Sequence, residues 1–241
     1  MRAWKPEWQS GPDCGTLAGS LQRIVIETAP NARQDPLAER FFRRGLDIII
    51  ALLVLTLTLP LLLFYGISVR FLSEGPATLV TQRIGRFGRP FGLFKMRTMC
   101  IDAEKRLAHW LDANPAAKQE WENCYKIKQD PRIVPYVGTF ARRSSLDELP
   151  QMLNVLRGDM TLVGPRPFPP YHLQAFPIHF QKRRASVLPG VTGLWQVRRK
   201  NNSLHEQRRL DEYYLRHRSL GFDLLILART IIAIIEGKGA C

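Results

Sequence analysis

One long apolar segment dominates the hydrophobic pattern of this chain. It runs from Ile48 to Ile67 and reads IIIALLVLTLTLPLLLFYGI, 20 residues without a charge. This is the length that a helix needs to cross the hydrocarbon of a bilayer. No face of the stretch is polar enough to meet water, so the pattern predicts a membrane segment; the alternative is a buried helix of a soluble protein.

Basic residues flank the segment on both sides: Arg40, Arg43 and Arg44 before it, and Arg70, Arg83, Arg86, Arg89, Lys95 and Arg97 after it. Because basic flanks stay on the cytoplasmic side, a single span would place one of these clusters on the wrong face. Pro60 removes a backbone hydrogen bond inside the segment and clashes with the carbonyl of Thr56. We therefore expect a re-entrant membrane helix over residues 40–72, broken at Pro60.

The remaining pattern predicts short elements of mixed type. Apolar and polar residues alternate over TLVTQRI (78–84) and FGLFKMRTM (91–99), around turn glycines, which is typical of a hairpin. A helix is predicted from Ala103 to Asn114 with Asp102 as its N-cap, and a second from Pro115 through Trp121. Phe222 to Ile235 is apolar but too short to span, so we expect an interfacial helix, with a core helix as the alternative.

These elements divide the chain into three parts. Residues 1–39 show no sustained periodicity and are predicted to be a poorly ordered N-terminal extension. Residues 40–72 are the membrane helix, and residues 73–241 form a small catalytic domain. The expected fold class is α+β, mostly helical, with a β-hairpin and interfacial amphipathic helices. Since the N-terminus lacks the apolar core of a secretory signal, the domain is expected in the cytosol.

Charge and cysteine content narrow the class of partner. Lys and Arg number 35 against 21 Asp and Glu, a formal net charge of +14. So basic a balance indicates an anionic partner: nucleic acid, anionic lipid or a phosphorylated substrate. The four cysteines lie far apart without C-x-x-C pairs, which argues against a zinc site or a disulfide framework.

The stretch from Arg142 to Pro167, RRSSLDELPQMLNVLRGDMTLVGPRP, carries the candidate chemistry. Helical spacing of its apolar residues predicts a helix that begins near Asp147 and ends at Gly158. Ser145 and Glu148 fit a capping box and Asp147 fits a plain N-cap, so a purely structural role is open for the acidic pair. Arginines on both sides of the pair, and the proline-stiffened loop around Arg166, favour anion binding instead.

A carboxylate at a helix N-terminus among arginines is expected to stay ionised. Asp147 would then be available as a nucleophile or a metal ligand. Phosphoryl transfer needs such a group, because cations neutralise a diphosphate while a carboxylate attacks phosphorus.

At these residues the chain resembles the polyprenyl-phosphate hexose-1-phosphate transferases, which are monotopic phosphoglycosyl transferases. The resemblance runs from about Arg43 to Cys241. Its marks are Arg43-Arg44-x-x-Asp47, Pro60, KMRTM at Lys95 to Met99, DPRI at Asp130, SLDELPQMLNVLRGDM, LVGPRP, PGVTGLWQV and LDEYY.

The resemblance implies a reaction and roles for single residues. Asp147 attacks the β-phosphate of a UDP-sugar and releases UMP, with Glu148 as its dyad partner. Polyprenyl phosphate then takes the phosphosugar, while Mg²⁺ (or Mn²⁺) is held at Asp147 and Glu148. The residues implied in substrate or phosphate binding are Lys95, Arg97, Arg142, Arg166, Lys200 and Asp211.

The resemblance also implies a setting: the cytoplasmic (inner) membrane, with the catalytic domain on its cytosolic face, at the first membrane step of exopolysaccharide, capsule or O-antigen synthesis. Membrane lipid and downstream glycosyltransferases are the other expected partners, nucleic acid is not expected, and a homodimer is left open. The tail resembles the branch that transfers galactose or glucose phosphate. After Trp195-Gln196-Val197 relatives read small-Gly-Arg, whereas Arg198-Arg199-Lys200 stands here, which puts nucleotide or sugar binding at this corner in doubt.

Three other interpretations are weighed against this one. A basic membrane scaffold without chemistry would need only the charge, the apolar segment and a capping box. A nucleic-acid-binding module would use the charge and the interleaved aromatics, but the membrane segment is out of place in it. The third is a transferase of the same kind that has lost its activity, or uses a different sugar donor, because of the substitutions at residues 198–200.

Overall fold

The computed structural model describes residues 36–124, 127, 130–198 and 203–236. Residues 1–35, and with them most of the predicted extension, lie outside the described residues. Helix α1 runs from Leu37 to Leu72, three residues earlier than the predicted boundary. Its first turn already makes a tertiary contact, because the Glu39 carboxylate accepts hydrogen bonds from Arg43 and from the backbone N–H of Leu220.

Helix α1 continues through Pro60, so the expected break is corrected. A proline removes one backbone N–H, whereas ending the helix in an apolar stretch would leave several backbone groups unpaired. The Thr58 hydroxyl donates to the carbonyl of Val54 at 2.7 Å, within the same turn. A re-entrant course remains compatible with this helix.

One face of α1 packs on the rest of the protein in its first half and again near its end, with no buried residue between Ala51 and Tyr65. Its buried residues are Arg43, Asp47, Ala51, Tyr65 and Val69, which share a stripe at helical spacing. Ala51 belongs to the largest apolar cluster, and Tyr65 and Val69 pack with Met96 and Ala141. The other faces are apolar and exposed, with Leu57 71% and Phe64 70% accessible. Exposed apolar surface of this extent indicates association with a membrane.

Polar contacts fix the start of α1. Asp47 accepts hydrogen bonds from the backbone N–H of Leu162 at 2.9 Å and from the Thr161 hydroxyl at 2.8 Å. Arg44 donates to the carbonyls of Val155 and Leu156, at the end of a helix described below. The Arg43-Arg44-x-x-Asp47 motif therefore joins the membrane helix to the rest of the fold.

A β-hairpin follows, as predicted. Strand β1 (Thr78–Ile84) pairs antiparallel with β2 (Pro90–Met96), and Leu79 lies opposite Lys95. Helices α2 (Ala103–Ala113) and α3 (Pro115–Cys124) confirm the next two predicted helices. Asp102 precedes α2 but does not cap its backbone; its carboxylate pairs with Arg106 instead.

The second half of the domain alternates short helices with a two-stranded parallel sheet. Its helices are α4 (Val137–Arg143), α5 (Gln151–Arg157), α6 (Pro170–Gln174), α7 (Ile178–Arg184), α8 (Leu194–Arg198), α9 (Leu204–His217) and α10 (Leu220–Ile235). Strands β3 (Thr161–Val163) and β4 (Gly190–Thr192) pair in parallel, with α6 and α7 in the connection. The predicted fold class, α+β and mostly helical, is confirmed for the described residues.

Helix α10 combines the two alternatives weighed for the C-terminal segment. Asp223 and Ile226 are buried against the domain, while an outer apolar face is exposed, including Leu224, Ile231 and Ile235. One face is therefore core and the other is suited to a membrane interface.

Candidate active site

The acidic pair lies in a short 3-10 turn. Leu146 to Glu148 form this turn, and α5 begins only at Gln151. The helix predicted to start near Asp147 therefore starts four residues later. Ser145 enters the turn with a left-handed backbone (φ 57°), a conformation uncommon for a residue with a side chain.

The capping roles weighed for the pair are not observed. No side-chain hydrogen bond caps the turn at Ser145 or α5 at Pro150. The backbone N–H of Glu148 donates to the carbonyl of Ser145, not to its hydroxyl. The carboxylates of Asp147 and Glu148 face cations instead.

Lys95 and Arg166 join the acidic pair from two other elements. The Nζ of Lys95, on β2, lies 3.4 Å from Oδ2 of Asp147 and 3.6 Å from Oε1 of Glu148. A terminal nitrogen of Arg166, in the loop after β3, donates to Oε1 of Glu148 at 2.8 Å. The structure thus brings together four residues predicted to act in one site, from segments up to 71 residues apart.

The pKa values of the two carboxyl groups are shifted in opposite directions. Burial raises the pKa of Asp147 above its usual value, and the charge of Glu148 adds to this, against the attraction of Lys95 and Arg142. Burial would also raise the pKa of Glu148, but Arg166 and Lys95 outweigh it and lower that pKa to about 2. The expectation that helix position and arginines lower the pKa of Asp147 is therefore corrected: burial dominates and raises that pKa, and Asp147 lies before the helix.

Arg142 approaches the same site from the end of α4. It is half-buried, and its Nε donates to the Thr98 hydroxyl at 3.1 Å. Its charge lowers the pKa of Asp147. Three cations from three elements therefore act on the acidic pair.

Asn154 holds the strand that carries Lys95. This side chain is fully buried in α5. Its Oδ1 accepts from the N–H of Phe94 at 3.0 Å, and its Nδ2 donates to the carbonyl of Gly92 at 2.7 Å. Since α5 directly follows the acidic turn, these two bonds fix β2, and with it Lys95, relative to Asp147.

Glycines allow the Arg166 loop to pack against the 189–193 segment. The N–H of Gly164 donates to the carbonyl of Thr192, and the N–H of Gly190 donates to the carbonyl of Pro165. A Cβ on Gly190 would lie 2.0 Å from the backbone nitrogen of Gly164, which no real contact permits. The LVGPRP and PGVTG motifs thus support each other through direct backbone contact.

The structure places Arg97 differently from the prediction. Its side chain is buried, 2% accessible, and donates to the carbonyls of Glu74 and Ser73, the latter at 2.8 Å. The guanidinium therefore holds the loop after α1 rather than facing the acidic pair. Strand alternation would put Lys95 and Arg97 on the same face, but β2 ends at Met96. Arg97 therefore lies beyond the strand, where the alternation no longer sets the direction of its side chain.

Asp211 is also placed away from the acidic pair. It is buried in α9, and its Oδ2 accepts from Nε of Arg184 at 2.9 Å. Burial raises its pKa, against the attraction of Arg184. Lys200 lies outside the described residues. Arg198 is the first residue of the Arg198-Arg199-Lys200 run, at which this chain differs from the resembling proteins. It is exposed at the end of α8.

Two residues of this site were missed by sequence reasoning: Asn154 and Arg184. Asn154 lies among apolar residues at helical spacing, so a buried polar position in MLNVL was the available signal. Arg184 lies in a basic run, KRR, that reads as a solvated helix face. Only tertiary contacts distinguish it from its neighbours.

Comparison with known proteins agrees with the motifs that meet here. The bacterial sugar transferase family matches residues 38–237. An undecaprenyl-phosphate galactose phosphotransferase of Salmonella typhimurium is 38% identical over 204 residues, which cover 84% of this chain and 42% of that protein. The exopolysaccharide production protein ExoY of Sinorhizobium fredii is 37% identical over 199 residues, covering 82% of this chain and 87% of the relative.

A galactosyl transferase, CpsE, of Streptococcus agalactiae is 40% identical over 187 residues, covering 74% of this chain and 40% of the relative. The chain thus spans less than half the length of several curated relatives and most of the length of ExoY. The matched region extends from the start of α1 through α10 and includes the acidic turn, the hairpin and the Arg166 loop. With a family match over this whole region, the chain belongs to the bacterial sugar transferase family.

Proposed function

We propose that this protein transfers hexose-1-phosphate from a UDP-sugar to polyprenyl phosphate, giving polyprenyl diphosphate-sugar and UMP. One observation carries the proposal: a buried carboxylate, Asp147, caps no helix and faces cations from three separate elements. The relatives support the same chemistry, because one is named for undecaprenyl phosphate and galactose phosphate and another for exopolysaccharide production.

The first step would be attack by an Asp147 carboxylate oxygen on the β-phosphorus of the UDP-sugar. The bond from that phosphorus to the oxygen bridging the two phosphates breaks, and UMP leaves with the electron pair. This gives an acyl phosphate between Asp147 and the sugar phosphate. An oxygen of polyprenyl phosphate then attacks the same phosphorus and releases the Asp147 carboxylate unchanged.

The surrounding cations suit this exchange. Lys95 lies within 3.6 Å of both carboxylates. When Asp147 becomes neutral in the acyl phosphate, the ammonium group of Lys95 is available to pair with the phosphoryl oxygens. The Arg166 side chain is one-third exposed while it is bonded to Glu148. A planar, partly exposed guanidinium is suited to bidentate binding of a diphosphate.

Mg²⁺ or Mn²⁺ fits the donors that remain. The described residues contain no group of three or more metal-binding side chains, but Mg²⁺ is commonly held by one or two carboxylates together with substrate phosphates and water. Asp147 and Glu148 would be the protein ligands, since Oδ1 of Asp147 accepts no hydrogen bond from the described residues. The bound ion would neutralise charge on the diphosphate.

The packing of α1 supports the proposed membrane setting. Both of its ends pack on the same catalytic domain, through Arg44 near the start and Val69 near the end. A helix perpendicular to the bilayer would carry its two ends to opposite faces, about 54 Å apart for 36 residues at 1.5 Å each. A re-entrant course on the cytosolic face of the inner membrane keeps both ends with the domain. There the protein would start exopolysaccharide, capsule or O-antigen synthesis.

The test is UMP release from a panel of UDP-sugars with undecaprenyl phosphate and Mg²⁺. We expect turnover with UDP-galactose or UDP-glucose, and a loss of about 10⁶-fold in Asp147→Asn, the scale seen when a nucleophile is removed. Asp112→Asn is the matched control, because Asp112 is exposed on α2. Full activity of Asp147→Asn would contradict the proposal, and so would the absence of UMP release from every UDP-sugar tested.

A further inference from the structure

A second buried ion pair lies behind the acidic site. Arg184 at the end of α7 and Asp211 in α9 are each less than a tenth accessible and pair at 2.9 Å between Nε and Oδ2. Burying two charges is costly unless their remaining hydrogen-bonding groups are also used. The contacts of Arg184 show how they are used.

Arg184 makes three kinds of contact at once. Its Nε binds Asp211, and a terminal nitrogen donates to the backbone carbonyl of Arg166. The central carbon of its guanidinium lies over the ring of Phe168, 3.7 Å from the ring centroid. Two of these three contacts are to residues of the loop that carries Arg166.

The loop that carries Arg166 is therefore held at two of its residues, Arg166 and Phe168. Arg184 fixes the carbonyl of Arg166 and the ring of Phe168, and the Phe168 carbonyl accepts from the N–H of Ile84 at 3.0 Å. The Arg166 side chain then reaches Glu148 on the opposite side. A shift in this loop would move the guanidinium that faces the acidic pair.

We infer that Arg184, with Asp211 as its counterion, is a positioning residue that aims Arg166 at the diphosphate. Asp211 acts through Arg184 and touches neither the substrate nor the acidic pair. Only a guanidinium provides the two donors and the flat face that these contacts require, so lysine keeps the charge but cannot make all three contacts. The inference rests on the proposed function, which the wild-type assay tests separately.

The experiment compares Arg184→Lys with wild type in the UMP-release assay. We expect kcat/KM for the UDP-sugar to fall about 100-fold, the scale expected when a binding group moves by about 1 Å. The loss should divide between KM and kcat as it does in Arg166→Ala. Arg183→Lys is the matched control, the same substitution one residue earlier on the same helix, and should stay close to wild type.

A double-variant cycle separates positioning from general damage. If Arg184 acts through Arg166, then Arg166→Ala combined with Arg184→Lys should lose no more than about threefold beyond Arg166→Ala alone. Losses that multiply would overturn the inference. So would a fall in kcat alone in Arg184→Lys where Arg166→Ala also raises KM, because a smaller active fraction lowers kcat alone.

Hydrogen exchange provides a readout that does not depend on turnover. The amide of Ile84 reports the place of the loop, because it donates to Phe168. It should exchange faster in Arg184→Lys than in Arg183→Lys, while amides of α5 stay unchanged. Equal exchange of Ile84 in the two variants would overturn the inference even if no substrate were turned over.

Discussion

Asp147 and Glu148 are neighbours in the chain, yet their environments separate them chemically. Glu148 faces Arg166 and Lys95 and stays ionised, with a pKa of about 2. The pKa of Asp147 is raised by burial and by the charge of Glu148. Two carboxyl groups with divergent pKa values are typical of sites where the groups have different tasks. A desolvated carboxylate is also the more reactive nucleophile, because less water must be removed before attack.

The acid limb of the pH profile should therefore follow Asp147. Activity is expected to fall as the pH decreases through the raised pKa of this group, because only the carboxylate attacks phosphorus. Lys95→Gln removes a charge that lowers this pKa and should move the limb to higher pH. Glu148→Gln removes a charge that raises it and should move the limb to lower pH. Shifts in the same direction in both variants would contradict the assignment.

The stability of the fold should also depend on the protonation of Asp147, but the carboxylate that is needed for activity should make the fold less stable. Below the ordinary pKa of 3.8, Asp147 is protonated in both the folded and the unfolded chain. As the pH rises, the unfolded chain loses this proton first, so the free energy of unfolding decreases until the folded-state pKa is passed. Asp147→Asn should therefore keep or raise the melting temperature at neutral pH while abolishing turnover. A marked decrease in melting temperature would show that the carboxylate stabilises the fold.

The sequence predicted those residues of this site that lie in recognisable local motifs. Asp147, Glu148, Lys95 and Arg166 lie in motifs where charge, glycine and proline occur together, and the structure brings them together. Arg97 carries the same charge as Lys95 and lies two residues away, but its surroundings at the end of the strand direct it to backbone carbonyls. The destination of a side chain after a strand end depends on the tertiary fold, which local pattern does not contain.

Short elements, not long ones, align the site. The hairpin provides Lys95, the 3-10 turn provides the carboxylates, and the loop after β3 provides Arg166. The hairpin was predictable because alternation over seven residues is a strong signal. The start of α5 was not, because Pro150 adopts a helical backbone (φ −60°) and the preceding turn has the same apolar spacing as a helix.

Gly190 tests the contact between the two glycine motifs. Gly190→Ala would place a methyl group against the backbone of Gly164 and should cost about 1 to 3 kcal/mol or more of unfolding free energy, as overpacking does. Gly221→Ala is the control, because no atom lies within 4 Å of a Cβ there. It lies in a helix, and its stability should change by less than about 1 kcal/mol, in the stabilising direction. Thermal unfolding in detergent measures both, and equal stabilities would contradict the contact.

Asn154 tests the coupling between α5 and the hairpin. Asn154→Ala leaves the Phe94 N–H and the Gly92 carbonyl without partners and should cost about 2 to 4 kcal/mol. It should also reduce kcat/KM, because β2 carries Lys95. Asn114→Ala, which removes one bond to Trp110 within a single helical end, should cost less than about 1 kcal/mol and leave activity intact. A stable, fully active Asn154→Ala variant would show that Lys95 is aligned by other contacts.

At the scale of the whole molecule, the catalytic domain and the membrane helix form one unit. The apolar cluster that contains Ala51 of α1 also contains residues of β2, α5, α8, α9 and α10. Buried Arg43 forms an ion pair with Asp223 of α10, which links the starts of the two apolar helices. The outward faces of both helices are apolar, so the domain is expected to rest on the bilayer rather than to hang from it by a linker.

Thiol labelling in vesicles tests this arrangement. Single cysteines replacing Leu37 and Leu72, both exposed, would mark the two ends of α1 in a background without the four native cysteines. A membrane-impermeant reagent should label both from the cytosolic side and neither from the other. Labelling of the two ends from opposite sides would show that α1 spans the bilayer.

The proposed mechanism requires a covalent bond between Asp147 and the transferred phosphosugar. The most direct measurement is mass spectrometry of the protein mixed with UDP-sugar and Mg²⁺ in the absence of polyprenyl phosphate, quenched with acid and digested. We expect the peptide containing Asp147 to gain the mass of one hexose phosphate, and the adduct to disappear when polyprenyl phosphate is added. An enzyme that turns over but carries no adduct, or carries it on another residue, would contradict the account.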